Sequence, residues 1–200
     1  DSLLPQGTIL SKDVYVAATP SSDSSILAVA DTTHSITFFN GDDALAIVNM
    51  MTGDTLDSFG EIGVDPGSSW PIDTFGFTNN FTLVRMSDIQ RGETDWSTSE
   101  FEWDVFPINT FDSLGFHNTD PCISALPVSV DSCPTEPFFS EYLEGSGNNK
   151  VLEIYNPSDD TLDLGTYEVR RFNNGGTAPS GIFNAPVMLA PGETYVIANP

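Results

Sequence analysis

The side chains in this sequence best suited to chemistry are carboxylates. Asp42 and Asp43 sit in the turn cluster Asn40-Gly-Asp-Asp43, and Glu141, Glu144 and Glu153 punctuate two strand-like runs, 138–144 and 150–155. Calcium accepts about six to eight oxygen ligands and tolerates irregular loops, so these five residues form a candidate ligand set, with calcium the one candidate cofactor. In the competing reading, Asp42 and Asp43 cap turn amides and the glutamates are solvated. Glu141 and Glu144 lie three apart on a strand and hence on opposite faces, which does not suit the paired acids of a glycosidase. His34 and His117 are far apart, lack a triad pattern, and read as structural or surface residues. A nucleophile elbow, HExxH, P-loop and CxxC are all missing, and no enzymatic activity is expected.

Composition narrows the partners. The chain of 200 residues has 29 acidic side chains against 6 basic ones, a net charge of −23. Nucleic-acid affinity depends on Lys and Arg displacing counterions, so nucleic acid is not an expected partner. No apolar window is long enough for a membrane helix, so direct membrane insertion is not expected either. Cys122 and Cys133 fall in one proline-rich stretch, 119–137, without histidine neighbours, which makes a poor zinc site. A disulfide between them would close a short loop, stabilise it by roughly 3 kcal/mol and place the protein in an oxidising compartment. Two free buried thiols are the alternative.

The elements that must position these groups are strands. With 14 Phe, 5 Tyr and 3 Trp, and with 16 Gly and 14 Pro as punctuation, the chain favours short strands separated by turns. The runs 44–48, 81–86, 138–144, 150–155 and 167–172 read as strands and 35–39 as extended, and the aromatics of 101–106 and 110–115 are expected to pack beneath the sheets. Serines before an apolar patch at 21–30 predict one short helix. Trp70 is expected to plug one end of the core, and an exposed Trp70 or Trp96 would suit a carbohydrate-binding module. Asn80-Phe-Thr82 fits an N-glycosylation acceptor, and Asp54-Thr-Leu56, Asp112-Ser-Leu114 and Asp160-Thr-Leu162 resemble short O-glycosylation acceptors of secreted bacterial proteins. Many short strands with regular turn signals argue for an all-β sandwich.

One stretch occurs twice. Ile9–Pro20 and Leu189–Pro200 match at Tyr15/Tyr195, Val16/Val196, Ala18/Ala198 and Pro20/Pro200, always 180 residues apart. A fixed offset is the mark of tandem units, so 1–200 reads as one period of a longer array.

The order of motifs then becomes specific. Phe138-Phe-Ser-Glu-Tyr-Leu-Glu-Gly-Ser-Gly-Asn-Asn-Lys-Val-Leu-Glu-Ile-Tyr-Asn156, Leu162-Asp-Leu-Gly-Thr-Tyr167 and Leu189-Ala-Pro-Gly-Glu-Thr-Tyr-Val-Ile-Ala198 resemble the opening half of the bacterial lamin tail domain, an immunoglobulin-like β-sandwich. Phe39–Val48, Asp57–Gly67, Thr82–Arg85, Glu102-Trp103 and Leu114-Gly115 resemble its closing half. The resemblance implies three units: 1–118 as the C-terminal portion of one domain, 119–137 as a disulfide-closed linker, and 138–200 as the N-terminal portion of the next. The duplicated stretches would then compete for one position if the chain formed a single sandwich. The resemblance further implies a structural or adhesive module of a large secreted bacterial cell-surface protein. Its partners would be neighbouring domains of the same chain and further copies, as a homo-oligomer or fibre. The alternative is a non-catalytic accessory domain of a secreted nuclease or other hydrolase.

Overall fold

Runs rich in Phe, Val, Ile and Thr form the framework. The computed structural model describes residues 15–16, 21–73, 76–119, 134–184, 188–191 and 194–198. Before the proline-rich stretch the strands are β1 (Tyr15–Val16), β2 (Thr32–Thr33), β3 (Ala44–Asn49), β4 (Thr55–Phe59), β5 (Pro71–Ile72), β6 (Gly76–Phe77), β7 (Phe81–Arg85) and β8 (Trp103–Pro107). After it come β9 (Phe138–Glu144), β10 (Lys150–Tyr155), β11 (Leu162–Asp163), β12 (Tyr167–Phe172), β13 (Gly181–Phe183), β14 (Met188–Leu189) and β15 (Thr194–Ala198).

Two sheets face each other. The larger runs β1-β15-β10-β9-β7-β8, with β2 also paired to β15, and the smaller runs β13-β12-β3-β4. Ile47, Phe59, Val169 and Phe183 of the smaller sheet pack against Leu83, Phe139, Tyr142, Leu152, Ile154 and Ile197 of the larger one. Phe39, Phe59 and Tyr142 stack at the centre, with ring centroids 4.6 and 4.0 Å from the Tyr142 ring. The fold is thus the expected all-β sandwich.

Its assembly differs from the expected tandem of two partial sandwiches. The second segment inserts directly into the sheets of the first: β9 pairs with β7 (Thr82↔Leu143, Leu83↔Tyr142, Val84↔Glu141), and β12 pairs with β3 along six residues from Tyr167↔Asn49 to Phe172↔Ala44. Each segment leaves an unpaired strand edge, and the other segment of the same chain covers it. The duplicated stretches do not compete for one place. β1 and β15 lie side by side, parallel, with Tyr15 opposite Tyr195 and Val16 opposite Val196.

Local chemistry explains the smaller departures. The described residues hold two short α-helices where one was expected: Ser24–Leu27 (α1) and Trp96–Ser99 (α2). Their caps are aspartates, Asp23 accepting the Ser25 N–H at 2.9 Å and Asp95 the Ser97 N–H at 3.0 Å, the usual remedy for unpaired amides at a helix start. Ser35–Thr37 is a 3-10 turn and not extended, because the Nδ1 of His34 accepts the Ile36 N–H at 3.1 Å and closes it. Gly41 must be glycine: its φ is +95°, and a Cβ there would lie 2.5 Å from the Cβ of Asn79.

Leu152 sits in the core on β10 and is fully buried. Leu152→Ala should lower stability by about 2–5 kcal/mol, and urea unfolding followed by tryptophan fluorescence and circular dichroism should give one coincident transition for both segments.

Candidate functional site

Two groups of charged side chains are buried in this sandwich, and a third lies at one end of it. The first spans the sheets. Arg85, at the end of β7, is 1% exposed. Its Nη1 donates to both carboxylate oxygens of Asp57 on β4, at 3.1 and 2.9 Å, and its Nη2 pairs with Glu102. The guanidinium lies 4.9 Å from the centroid of the Trp103 ring. Asp57 also accepts the Phe139 N–H at 2.8 Å and the Glu93 N–H at 2.9 Å. Burial raises the Asp57 carboxyl, while Arg85 and the two backbone donors oppose that rise. A buried charge persists only when paired and hydrogen-bonded. This one joins β4, β7, β9 and the loop at Glu93.

The second group lies on the outer face of the larger sheet. Glu141 on β9 and Glu153 on β10 are direct cross-strand partners, each 1% exposed. A β-bulge follows the pair: Glu153 opposes Glu141 and Ile154 opposes Phe139, so Ser140 is the extra residue. Ser140 Oγ donates to Glu153 at 2.7 Å. The segment 110–119 covers the pair, and its Gly115 N–H donates to Glu153 at 2.7 Å. Neither oxygen of Glu141 has a hydrogen bond of normal geometry, and the Ser113 hydroxyl above it is the polar group that acts on it. Burial pushes Glu153 up to about 7. It raises Glu141 well above the usual carboxylate range, with repulsion from Glu153 adding to the effect.

The third group gathers Asp42, Asp43 and Glu144 at one end of the sandwich. Glu144 accepts the Asn80 N–H at 2.6 Å and pairs with Lys150. Burial raises Asp43 to about 6, with repulsion from Asp42 adding to it and Arg171 opposing it. Asp42 is raised by burial and by the charges of Asp65 and Glu144, against its own backbone hydrogen bond.

The five candidate calcium ligands therefore do not converge. Strand alternation places Glu141 and Glu153 with Leu143 and Val151 on the outer face, and Glu144 on the inner side with Tyr142. Among the described residues no group of three or more His, Cys, Asp or Glu side chains is arranged to hold a metal ion. Around Glu153 the protein supplies N–H and O–H donors, which suit an anion or a shared proton and repel a cation. Cys122, Cys133 and their expected disulfide lie outside the described residues. The carbohydrate platform is overturned: Trp70 and Trp96 are 5% and 6% exposed, with ring centroids 6.0 Å apart in the core, so neither can stack on a sugar. His34 caps a turn. His117 is buried against Phe138 and Tyr155, with ring centroids 5.9 and 5.0 Å away.

The strands that carry Glu141 and Glu153, and the repeated strand β15 beside them, are the ones a known family accounts for. Residues 132–200 match the Lamin Tail Domain family. No curated protein and no solved structure matches the chain. The lamin tail domain is a non-enzymatic, immunoglobulin-like fold, in agreement with the two facing sheets. The lamin-tail segment contributes β9 to β15, and β1 to β8 from outside the match complete its sheets.

The cluster that sequence reasoning missed is Asp57–Arg85–Glu102. All three stand in motifs that carry the family resemblance, but nothing in their spacing shows that one buried arginine joins them. Asp57→Ala leaves the Arg85 charge buried without its main partner and should cost about 3–5 kcal/mol, measured by urea denaturation. Replacing Asp57, Arg85 and Glu102 together by Leu, Met and Leu should recover the part of that loss that comes from the unpaired charge, but not the part that comes from the Phe139 and Glu93 N–H groups left without an acceptor.

Proposed function

We propose that this chain is a non-catalytic, load-bearing module of a large secreted bacterial cell-surface protein, serving structure or adhesion and packing with neighbouring domains and further copies. The relation of the first and last strands carries this reading. β1 and β15 are adjacent and parallel, so the chain enters β1 at one end of the pair and leaves β15 at the other. Tension along the chain loads their hydrogen bonds together, in shear, instead of opening them one at a time. β15 is in turn held by β10 over five residue pairs from Val151↔Ala198 to Tyr155↔Thr194, and the segments are joined through both sheets. The match to a non-enzymatic immunoglobulin-like family supports a structural role. A disulfide between Cys122 and Cys133 belongs to the same reading, since such a bond would form in an oxidising, extracellular setting.

Single-molecule pulling through the two ends should give one unfolding step that releases roughly 600 Å of chain, at a higher force than pulling through residues 53 and 147. Equal forces in the two geometries, or two separate smaller releases, would overturn the load-bearing reading. An antibody to the chain should label intact cells that produce the full protein; labelling only after lysis would overturn the surface assignment.

A further inference from the structure

Residues 110–119 form a strap across the outer face of the larger sheet, fastened at successive points. Thr82 Oγ1 donates to the Thr110 carbonyl at 3.0 Å. Leu114, with Phe111 against it, packs on Leu143, Val151, Val196 and Ala198. Gly115 N–H binds Glu153. His117 lies between Phe138 and Tyr155, and the Thr119 and Tyr155 hydroxyls are 3.0 Å apart. Beneath the strap Glu141 and Glu153 stand opposite each other on β9 and β10, and among the described residues neither makes an ion pair.

We propose that this strap is a pH-sensitive latch, held by a proton shared between Glu141 and Glu153 and released when both carboxyls ionise. With one proton present, Glu153 accepts from Ser140 and Gly115 while Glu141, with only the Ser113 hydroxyl beside it, stays neutral. Without that proton two like charges sit side by side in a dry site, a state that cross-strand carboxylates avoid. Lifting the strap readmits water to both and uncovers the apolar patch of Leu143, Val151, Val196 and Ala198.

Among the described residues the surroundings offer the two glutamates no ion-pair partner. Asp104 lies on the same outer row, through Val84, which pairs with both Asp104 and Glu141. Asp112 is on the strap, and Asp23 and Asp31 flank α1, whose Ile26 packs on the same patch. The remaining titratable groups are His117 on the strap and Tyr155 on β10. Arg85 is the basic residue in electrostatic reach of His117.

The sign follows from which form the closed strap prefers. Burial raises Glu153 from 4.5 to about 7, so its contribution is fully present below 4.5 and is lost as pH rises through about 7. Glu141 acts in the same direction. His117 is lowered by burial, and to a lesser extent by Arg85, from 6.5 to about 4; its contribution is full above 6.5 and lost as pH falls through about 4. The strap is therefore held best in mildly acidic solution and loosens toward alkaline pH.

Hydrogen exchange on the full chain, divided by the intrinsic rate at each pH, tests this. The opening equilibrium for amides 111–117 should rise on the order of tenfold or more between pH 5 and pH 8, while amides of β10 and β12 stay protected. In Glu141→Gln/Glu153→Gln the rise should vanish. A flat wild-type response, or an equal rise in the double variant, would overturn the latch. If the double variant does not fold, the infrared carboxyl region of the wild type decides: a protonated carboxyl band persisting at pH 6 supports the shared proton, and its absence overturns it.

Discussion

A buried arginine cannot be left without its carboxylate, and the placement of Asp57 against Arg85 is the constraint on which most of this structure depends. The Asp57 carboxylate is used on every side: two contacts to Arg85, one to the backbone of Phe139 and one to the backbone of Glu93. Because β4 and β7 belong to different sheets, the pair fixes their separation and lateral offset. Because Phe139 belongs to β9, it also fixes where the second segment enters. Hydrophobic contact alone would let β9 slip by two residues and keep its pattern. A single acceptor for the Phe139 N–H gives that register a polar lock.

Once β9 is placed, both faces of the larger sheet have assigned roles. Its inner side delivers Phe139 and Tyr142 to the core, and its outer side delivers Glu141 to Glu153. The Ser140 bulge makes this division possible. One extra residue brings a hydroxyl donor to Glu153 without moving Phe139 out of the core. Every residue of β9 is buried, which is unusual for a strand with two glutamates and explains why loops and strap cover its outer face.

The fold class was readable from the sequence, and the site was not. Strands 44–49, 81–85, 138–144 and 150–155 stand out because β-branched and aromatic residues there run between turn signals, and short-range chemistry sufficed to place them. The alternation rule correctly set Glu141 and Glu144 on opposite faces. The bulge does not obscure the Glu141–Glu153 pair, since it lies beyond it and the register counted from the 145–149 turn sets the two opposite each other; what the sequence does not show is the segment 110–119 that buries them, a long-range contact. The run at Ser35–Thr37 has the composition of an extended segment, but the imidazole of His34, a cap outside the common set, closes it into a turn. Trp70 and Trp96 are buried by aromatic packing between distant segments, which composition does not reveal. Motif order along the chain implies two partial domains, but order along the chain is not order in space: the pairing of β3 with β12 and of β7 with β9 crosses the proline-rich stretch.

The inward placement of the basic residues has a further effect. Arg85 is buried, Arg171 is 7% exposed, and the Lys150 side chain is turned toward Glu144. Of the basic residues in the described chain, only Arg91 and Arg170 remain toward solvent. Several carboxylates are buried too, so the net charge outside stays strongly negative, but it has almost no cations interspersed within it. Such a surface is surrounded by a dense layer of small cations, and two copies approaching within a screening length of about 8 Å at physiological ionic strength must share or compress those layers. The approach of one copy to another is therefore set by salt: low ionic strength keeps copies apart, and the ions of the medium, more than any basic patch of the described residues, would set how closely they could pack.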